Sequence, residues 1–144
     1  MEHDDIHAIE RLLSDFAWYA DRGEGDSLAA LFSPRGVLHV GGQELIGRDA
    51  IARDCERRHA EYGRKTRHIW SNLRIEEEDD ATLVQTTAIQ VTVEQRLPEG
   101  TVQTRINDLF DTLRRNDAGV WFIERRVIKR ELALNGGAPI STDS

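Results

Sequence analysis

Apolar residues at Ile6, Ile9, Leu13, Phe16 and Ala20 recur every three or four positions, the spacing of one buried side of an amphipathic helix beginning near Asp5. Asp4 or Asp5 can cap this helix. Its last turn carries Trp18, Tyr19 and Asp21, and Gly23 offers a left-handed stop. Asp26 and Ser27 open a second, short helix through Leu28, Leu31 and Phe32, which the turn chemistry of Ser33-Pro34-Arg35-Gly36 ends. Val37 to Val40 and Glu44 to Ile46, joined at Gly41-Gly42, read as a small hairpin. A third helix, from about Arg48 to Tyr62, has only Ile51, Ala52 and Cys55 to bury and more charges than apolar residues. It is expected to lie mostly at the surface and to end at Gly63.

Beyond Gly63 the period changes from that of a helix to that of a strand. Residues 66–77, 82–97, 101–115 and 120–132 are rich in Thr, Val and Ile, and the turns Glu78-Asp79-Asp80, Leu97-Pro98-Glu99-Gly100 and Asn116-Asp117-Ala118-Gly119 separate them. Four long antiparallel strands in succession make a meander. Within the first, Thr66 to Asn72, residues two apart share a face, so His68, Trp70 and Asn72 would point one way and Ile69, Leu73 and Ile75 the other. The first set reads as the wall of a polar pocket and the second as ordinary packing. Helices first and strands afterwards predict an α+β domain, with the helices on one face of a sheet curved around them and a ligand cavity in the concavity. Residues 1–134 read as one domain, and 135–144 have the composition of a flexible tail.

Composition narrows the functional classes. The chain has 144 residues, enough for one core with an internal cavity, and a single cysteine, Cys55, which excludes an intrachain disulfide. The N-terminus has neither a basic segment nor an apolar leader, and no apolar run approaches the ~18 residues of a membrane span. A soluble, cytoplasmic protein is expected. The net charge of −7 works against nonspecific attraction to nucleic acid or anionic lipid. The basic clusters around Arg57 to Arg67 and Arg125 to Arg130 are interleaved with glutamates and read as solvated faces.

The five histidines show no metal-binding spacing, and no glycine-rich phosphate loop or nucleophile elbow is present. No metal or cofactor is expected, and Cys55 reads as a buried structural thiol. Acid-base chemistry remains. An imidazole titrates near neutrality, and a carboxylate on one ring nitrogen fixes its tautomer and raises the basicity of the other. Asp21, ending the first helix, and His68, heading the first long strand, form the candidate dyad, with Tyr19 as a phenol donor. In a regular helix positions 19 and 21 lie about 200° apart, so Tyr19 joins the pocket only if the helix end opens or the cavity surrounds it. Trp18, Trp70, Asn72, His39 and Phe110 are candidate substrate contacts. The competing reading is structural. A lone strand histidine more often packs than reacts, Asp21 also suits a cap or a pair with Arg22 or Arg48, Trp70 and Trp121 are more often core than ligand platform, and in a structural subunit Trp70, Trp121 and Phe110 would fill the pocket. Asp108 or Asp111 with Arg105 or Arg126 would be the only material for epoxide hydrolysis.

The order of these pieces, W-Y-A-D-R-G-E-G-D, L-F-S-P-R-G, G-R-D-A-I, R-H-I-W-S-N and D-A-G-V-W-F-I-E-R-R, resembles the SnoaL-like branch of the nuclear-transport-factor-2-like superfamily. It is similar in particular to the branch holding scytalone dehydratase and the β subunits of ring-hydroxylating dioxygenases, over about residues 5–132. The resemblance implies a cone-shaped, cystatin-like α+β barrel: three helices against a curved mixed sheet, usually a homodimer through the sheet, around a hydrophobic cavity. It implies an acid-base dyad at Asp21 and His68, with Tyr19 nearest to the assisting tyrosine of the dehydratase. The expected function is a cofactor-independent lyase or isomerase, of dehydratase or cyclase type, acting on a small cyclic or aromatic hydroxy-ketone. The alternative is a non-catalytic binding or structural subunit.

Overall fold

A computed structural model describes residues 1–135; of the expected tail, 135–144, Asn135 ends the last strand and the rest lies outside the described residues. Among the described residues the helices are α1 (His3–Arg22), α2 (Gly25–Ala29) and α3 (Arg48–His59). The strands are β1 (Phe32–Val40), β2 (Gln43–Ile46), β3 (Arg64–Glu77), β4 (Leu83–Arg96), β5 (Thr101–Arg115) and β6 (Trp121–Asn135). One six-stranded sheet has the order β2-β1-β6-β5-β4-β3. The meander β3 to β6 is antiparallel as expected, and β1 joins it parallel to β6, which makes the sheet mixed. Bulges in the β1/β6, β3/β4 and β5/β6 ladders bend the sheet over the helices, yet β2 and β3 remain free edges, so the barrel is not closed.

α1 packs its stripe of Ile9, Leu12, Leu13 and Phe16 into one core cluster with Val84, Ala88, Leu109, Leu113, Trp121 and Ile123 from the inward face of β4, β5 and β6. Each of these large side chains contributes roughly 1.5–3 kcal/mol by leaving water. The start of the helix is not capped by Asp4 or Asp5. Glu2 holds the N-cap position without a side-chain bond, and Asp5 instead accepts hydrogen bonds from Trp121 Nε1 at 2.8 Å and Arg115 at 3.3 Å, anchoring α1 to β5 and β6. At the other end Gly23 adopts φ 67° and donates its N–H to Tyr19 O, as the stop signal predicts.

Two local expectations change. Phe32, expected in the second helix, begins β1, because its backbone pairs with Ile123 of β6 across a contact that local pattern does not encode. Asn72, expected on the face of His68, is exposed at a bulge with φ 57°. The β3/β4 register jumps between Ser71 and Arg74 there, so His68 and Trp70 face inward together with Leu73 and Ile75. Ile69, expected to pack, is 60% exposed on the outer face.

Candidate active site

The end of α1, the inner side of α3 and the inward face of β3, β4, β5 and β6 enclose a cavity of about 650 Å³. From the helices Phe16, Ala20, Leu28 and Ile51 line it with apolar groups, and Asp54 and Arg58 of α3 with charged ones. Its sheet side is polar, with His68, Gln90, Thr92, Glu94, Arg105 and Asn107. The expected hydrophobic cavity is thus mixed, since Leu38, Val40 and Ile128 add apolar surface on the sheet side. Exposed Gly41, Gly42 and Arg130 also line it, so it reaches the surface.

His68 and Asp21 meet at the edge of this space. Asp21 Oδ1 lies 2.5 Å from His68 Nδ1 and accepts from Thr66 Oγ1 at 3.0 Å, while Oδ2 accepts from the His68 backbone N–H at 2.9 Å. The side chains are 4% and 16% exposed. Burial pushes the Asp21 carboxyl up, but the hydrogen bonds from the His68 ring, the His68 N–H and Thr66 outweigh it and hold the group below the usual carboxylate range. The position needs that help, since an anion at a helix C-terminus faces the negative end of the dipole. An ionised Asp21 only accepts, so Nδ1 carries the hydrogen and Nε2 is left with a free lone pair. Because His68 lines the cavity, that lone pair is available to a ligand there, and a positioned imidazole is a common general base.

The other expected site residues are not assembled here. Tyr19 is half-buried against the core and does not line the cavity; its carbonyl accepts the N–H groups of Gly23 and Glu24 at the helix end. The helix stays regular to Arg22, which keeps Tyr19 turned away from Asp21. Trp18 is 55% exposed with the Arg22 guanidinium 3.3 Å from its ring centroid. Trp70 packs at the core margin and donates Nε1–H to Ser14 Oγ at 3.0 Å. His39 points away from the cavity that its neighbours Leu38 and Val40 line, and its Nε2 sits 2.5 Å from Glu44 Oε2 on β2. Phe110 is 43% exposed on the outer face. Cys55 is buried at the wall, and burial, with help from Asp54 and Glu56, pushes its thiol up to about 11, so it stays neutral. Asp111 and Arg126 hold each other by two bonds of 2.8 Å, and neither Asp108 nor Asp111 lines the cavity, which leaves the epoxide-hydrolase arrangement without its carboxylate.

Sequence reading missed the polar wall itself. Gln90, Thr92, Glu94 and Arg96 alternate with Ile89, Val91 and Val93, and the usual rule turns the apolar set inward. Here the polar set faces in: Asn107 Nδ2 donates to Gln90 Oε1 at 3.1 Å, and Glu94 receives Arg64 at 2.9 Å and Arg96 at 3.1 Å. Burial pushes the Glu94 carboxyl up, and the bonds from these arginines bring it below its ordinary value.

The SnoaL-like domain family matches residues 1–127. The chain belongs to that family. No curated protein matches it in sequence. Among solved structures it is similar to a scytalone dehydratase-like protein of Novosphingobium aromaticivorans, with 23% identity, 97% of this chain and 95% of that chain covered, and a TM-score of 0.80. It is also similar to a type 2 hexachlorocyclohexane dehydrochlorinase, LinA, with 17% identity, the same coverage and a TM-score of 0.86. A third, from Catenulispora acidiphila in complex with S-DNPA, shares 22% identity over 90% of this chain and 95% of that one, with a TM-score of 0.75. At these identities the likenesses show the fold, the cystatin-like α+β architecture that the sequence indicates. Among the described residues no helix is long and apolar enough to cross a membrane.

Proposed function

We propose that this protein is a cofactor-independent lyase or isomerase in which His68 removes a proton from carbon beside a carbonyl and Asp21 supports the imidazolium that forms. The carrying observation is the Nδ1 contact with a buried, ionised carboxylate, which leaves Nε2 free in a 650 Å³ cavity. Once His68 has the proton, it can return it to another carbon, giving isomerisation, or to a departing hydroxyl, giving dehydration. Gln90 and Asn107, bonded to each other beside the cavity, are amides able to reorient toward a developing enolate oxygen. Tyr19 has no part in this mechanism. Two of the similar structures carry names that denote eliminations, of water and of hydrogen chloride, which supports this reaction class.

The test is deuterium incorporation. Small cyclic and aromatic hydroxy-ketones incubated in D2O with the protein should exchange the proton next to the carbonyl, and His68→Ala should abolish exchange while keeping its native circular dichroism. Folded His68→Ala protein that still exchanges would refute the assignment. The structural-subunit reading expected Trp70, Trp121 and Phe110 to fill the pocket; none of them lines it, which counts against that reading, and the exchange assay separates an enzyme from a non-catalytic binder.

The protein is further proposed to act as a homodimer through the outer face of the sheet. Ile69, Val91, Ile106 and Leu132 are successive cross-strand partners there, an apolar row spanning β3 to β6, with Phe110 and Leu134 exposed nearby. Light scattering should give twice the chain mass, and Ile69→Glu with Leu132→Glu should give the monomer.

A further inference from the structure

Positive charge exceeds negative charge on the cavity wall, and the excess lies away from His68. Arg64, Arg96, Arg105 and Arg130 all line the space. The carboxylates that meet them are Glu94, which takes Arg64, Arg96 and, at 3.4 Å, Arg105, and Glu61, which takes Arg96 at 2.7 Å. Four guanidiniums against two carboxylates leave two positive charges uncompensated. Arg58, also on the wall, already shares Asp54 with Arg57. The surplus falls on Arg105 and Arg130. Arg105 reaches Glu94 only at that longer distance and otherwise donates to neutral Gln103 at 2.6 Å. Arg130 has no carboxylate or hydrogen-bond acceptor among the described residues. Arg105 is 15% exposed, and its burial lowers its affinity for a proton, an effect that Glu94 opposes and neighbouring Arg130 reinforces. Two guanidiniums crowded this way, one of them half-buried, favour an anion between them.

The sheet register fixes where that anion would sit. His68, Thr92 and Arg105 are successive cross-strand partners on β3, β4 and β5, and Gln90, Asn107 and Arg130 form the next inward row on β4, β5 and β6. Strands lie about 4.8 Å apart, so the backbones of His68 and Arg105 are roughly 10 Å apart, and their side chains lean into the same concavity. A ligand spanning a single six-membered ring fits between the base and the arginines.

We propose that the substrate is an anion: a small enolisable ketone bearing a carboxylate across the ring, with the carboxylate held by Arg105 and Arg130 and the acidic C–H presented to His68. This inference rests on the proton-abstraction reading for the C–H end only. Arg130 selects the charged compound and orients it, and Gln90 and Asn107 lie between the two ends.

The probes are 4-oxocyclohexanecarboxylate and its neutral carboxamide, with binding measured by calorimetry to the full chain and to His68→Gln. The carboxylate should bind at least about tenfold tighter than the amide, in both proteins, and the preference should shrink as salt rises. Arg130→Gln, an exposed and unpaired position whose loss leaves the fold intact, should erase the preference. Equal binding of acid and amide, or a preference that survives Arg130→Gln, would overturn the proposal. The two readings fail separately. A carboxylate preference retained by His68→Gln supports the anion site whatever the base does, and exchange of neutral ketones without any carboxylate preference refutes the anion site while leaving the base in place.

Discussion

Asp111 and Asp21 are both buried carboxylates with an ionic partner, and of the two partners only that of Asp21 lines the cavity. Asp111 and Arg126 face each other from neighbouring strands β5 and β6, each side chain 1% exposed, with the Arg126 guanidinium 4.3 Å from the Phe16 ring centroid. Asp21 and His68 come from a helix end and a strand, 47 residues apart, and are nearly as buried. The difference lies in the partner and in what borders it. A guanidinium keeps its proton at any physiological pH and both its bonds are spent on Asp111, so the pair can only hold β5 and β6 together. An imidazole exchanges its proton near neutrality, spends one nitrogen on the carboxylate, and turns the other to a cavity. Burial and pairing alone do not single out a catalytic group.

That contrast can be broken in order of expected effect. His68→Gln should lower α-proton exchange by about 10²- to 10⁴-fold, with the urea midpoint nearly unchanged. Asp111→Ala should do the reverse: it strands a buried guanidinium and should cost about 3–5 kcal/mol by denaturation, with exchange per folded molecule preserved. Asp21→Asn, which keeps the shape and removes the charge, should reduce exchange less than His68→Gln does, because the imidazole remains.

A weaker effect concerns acid stability. The Asp21 and Glu94 carboxyls are both held below their ordinary values, so the folded state binds their protons less well than the unfolded chain does. Their stabilisation is complete above the unfolded values of about 4 and is lost as pH falls through the lower folded values. Stability measured from about pH 6 down to about pH 2 should fall less steeply in Asp21→Asn than in the wild type. The smallest change expected is Trp70→Phe, which removes one bond to Ser14 at a half-buried position and should cost about 0.5–1.5 kcal/mol without altering exchange.

How far the sequence could be read depended on whether the relevant contact was local. The i, i+3, i+4 spacing of Ile6 to Ala20 predicted α1, and its glycine stop at residue 23 fixed where Asp21 sits. The alternation from Thr66 onward put His68 on the inward face. The dyad followed from those two features and the family resemblance. Asn72 was misplaced because a bulge shifts the face of everything after it, and no side-chain pattern announces a positive φ at an asparagine. Phe32 was misplaced because its strand partner lies on β6, far along the chain. The polar wall of Gln90 to Arg96 was invisible for a different reason: its strands carry apolar residues on the outer face, inverting the rule by which strand faces are assigned. Tyr19, Trp18, His39 and Phe110 were plausible by type, but none of them lines the cavity.

The most direct test of the central claim needs no substrate. A long-range proton–nitrogen NMR spectrum of His68, recorded near pH 8 where an ordinary imidazole is neutral, reports which ring nitrogen carries the hydrogen. The account predicts a protonated Nδ1 held by Asp21 and a bare Nε2 toward the cavity. A hydrogen on Nε2 would mean that His68 has no lone pair to offer the cavity, and would contradict it.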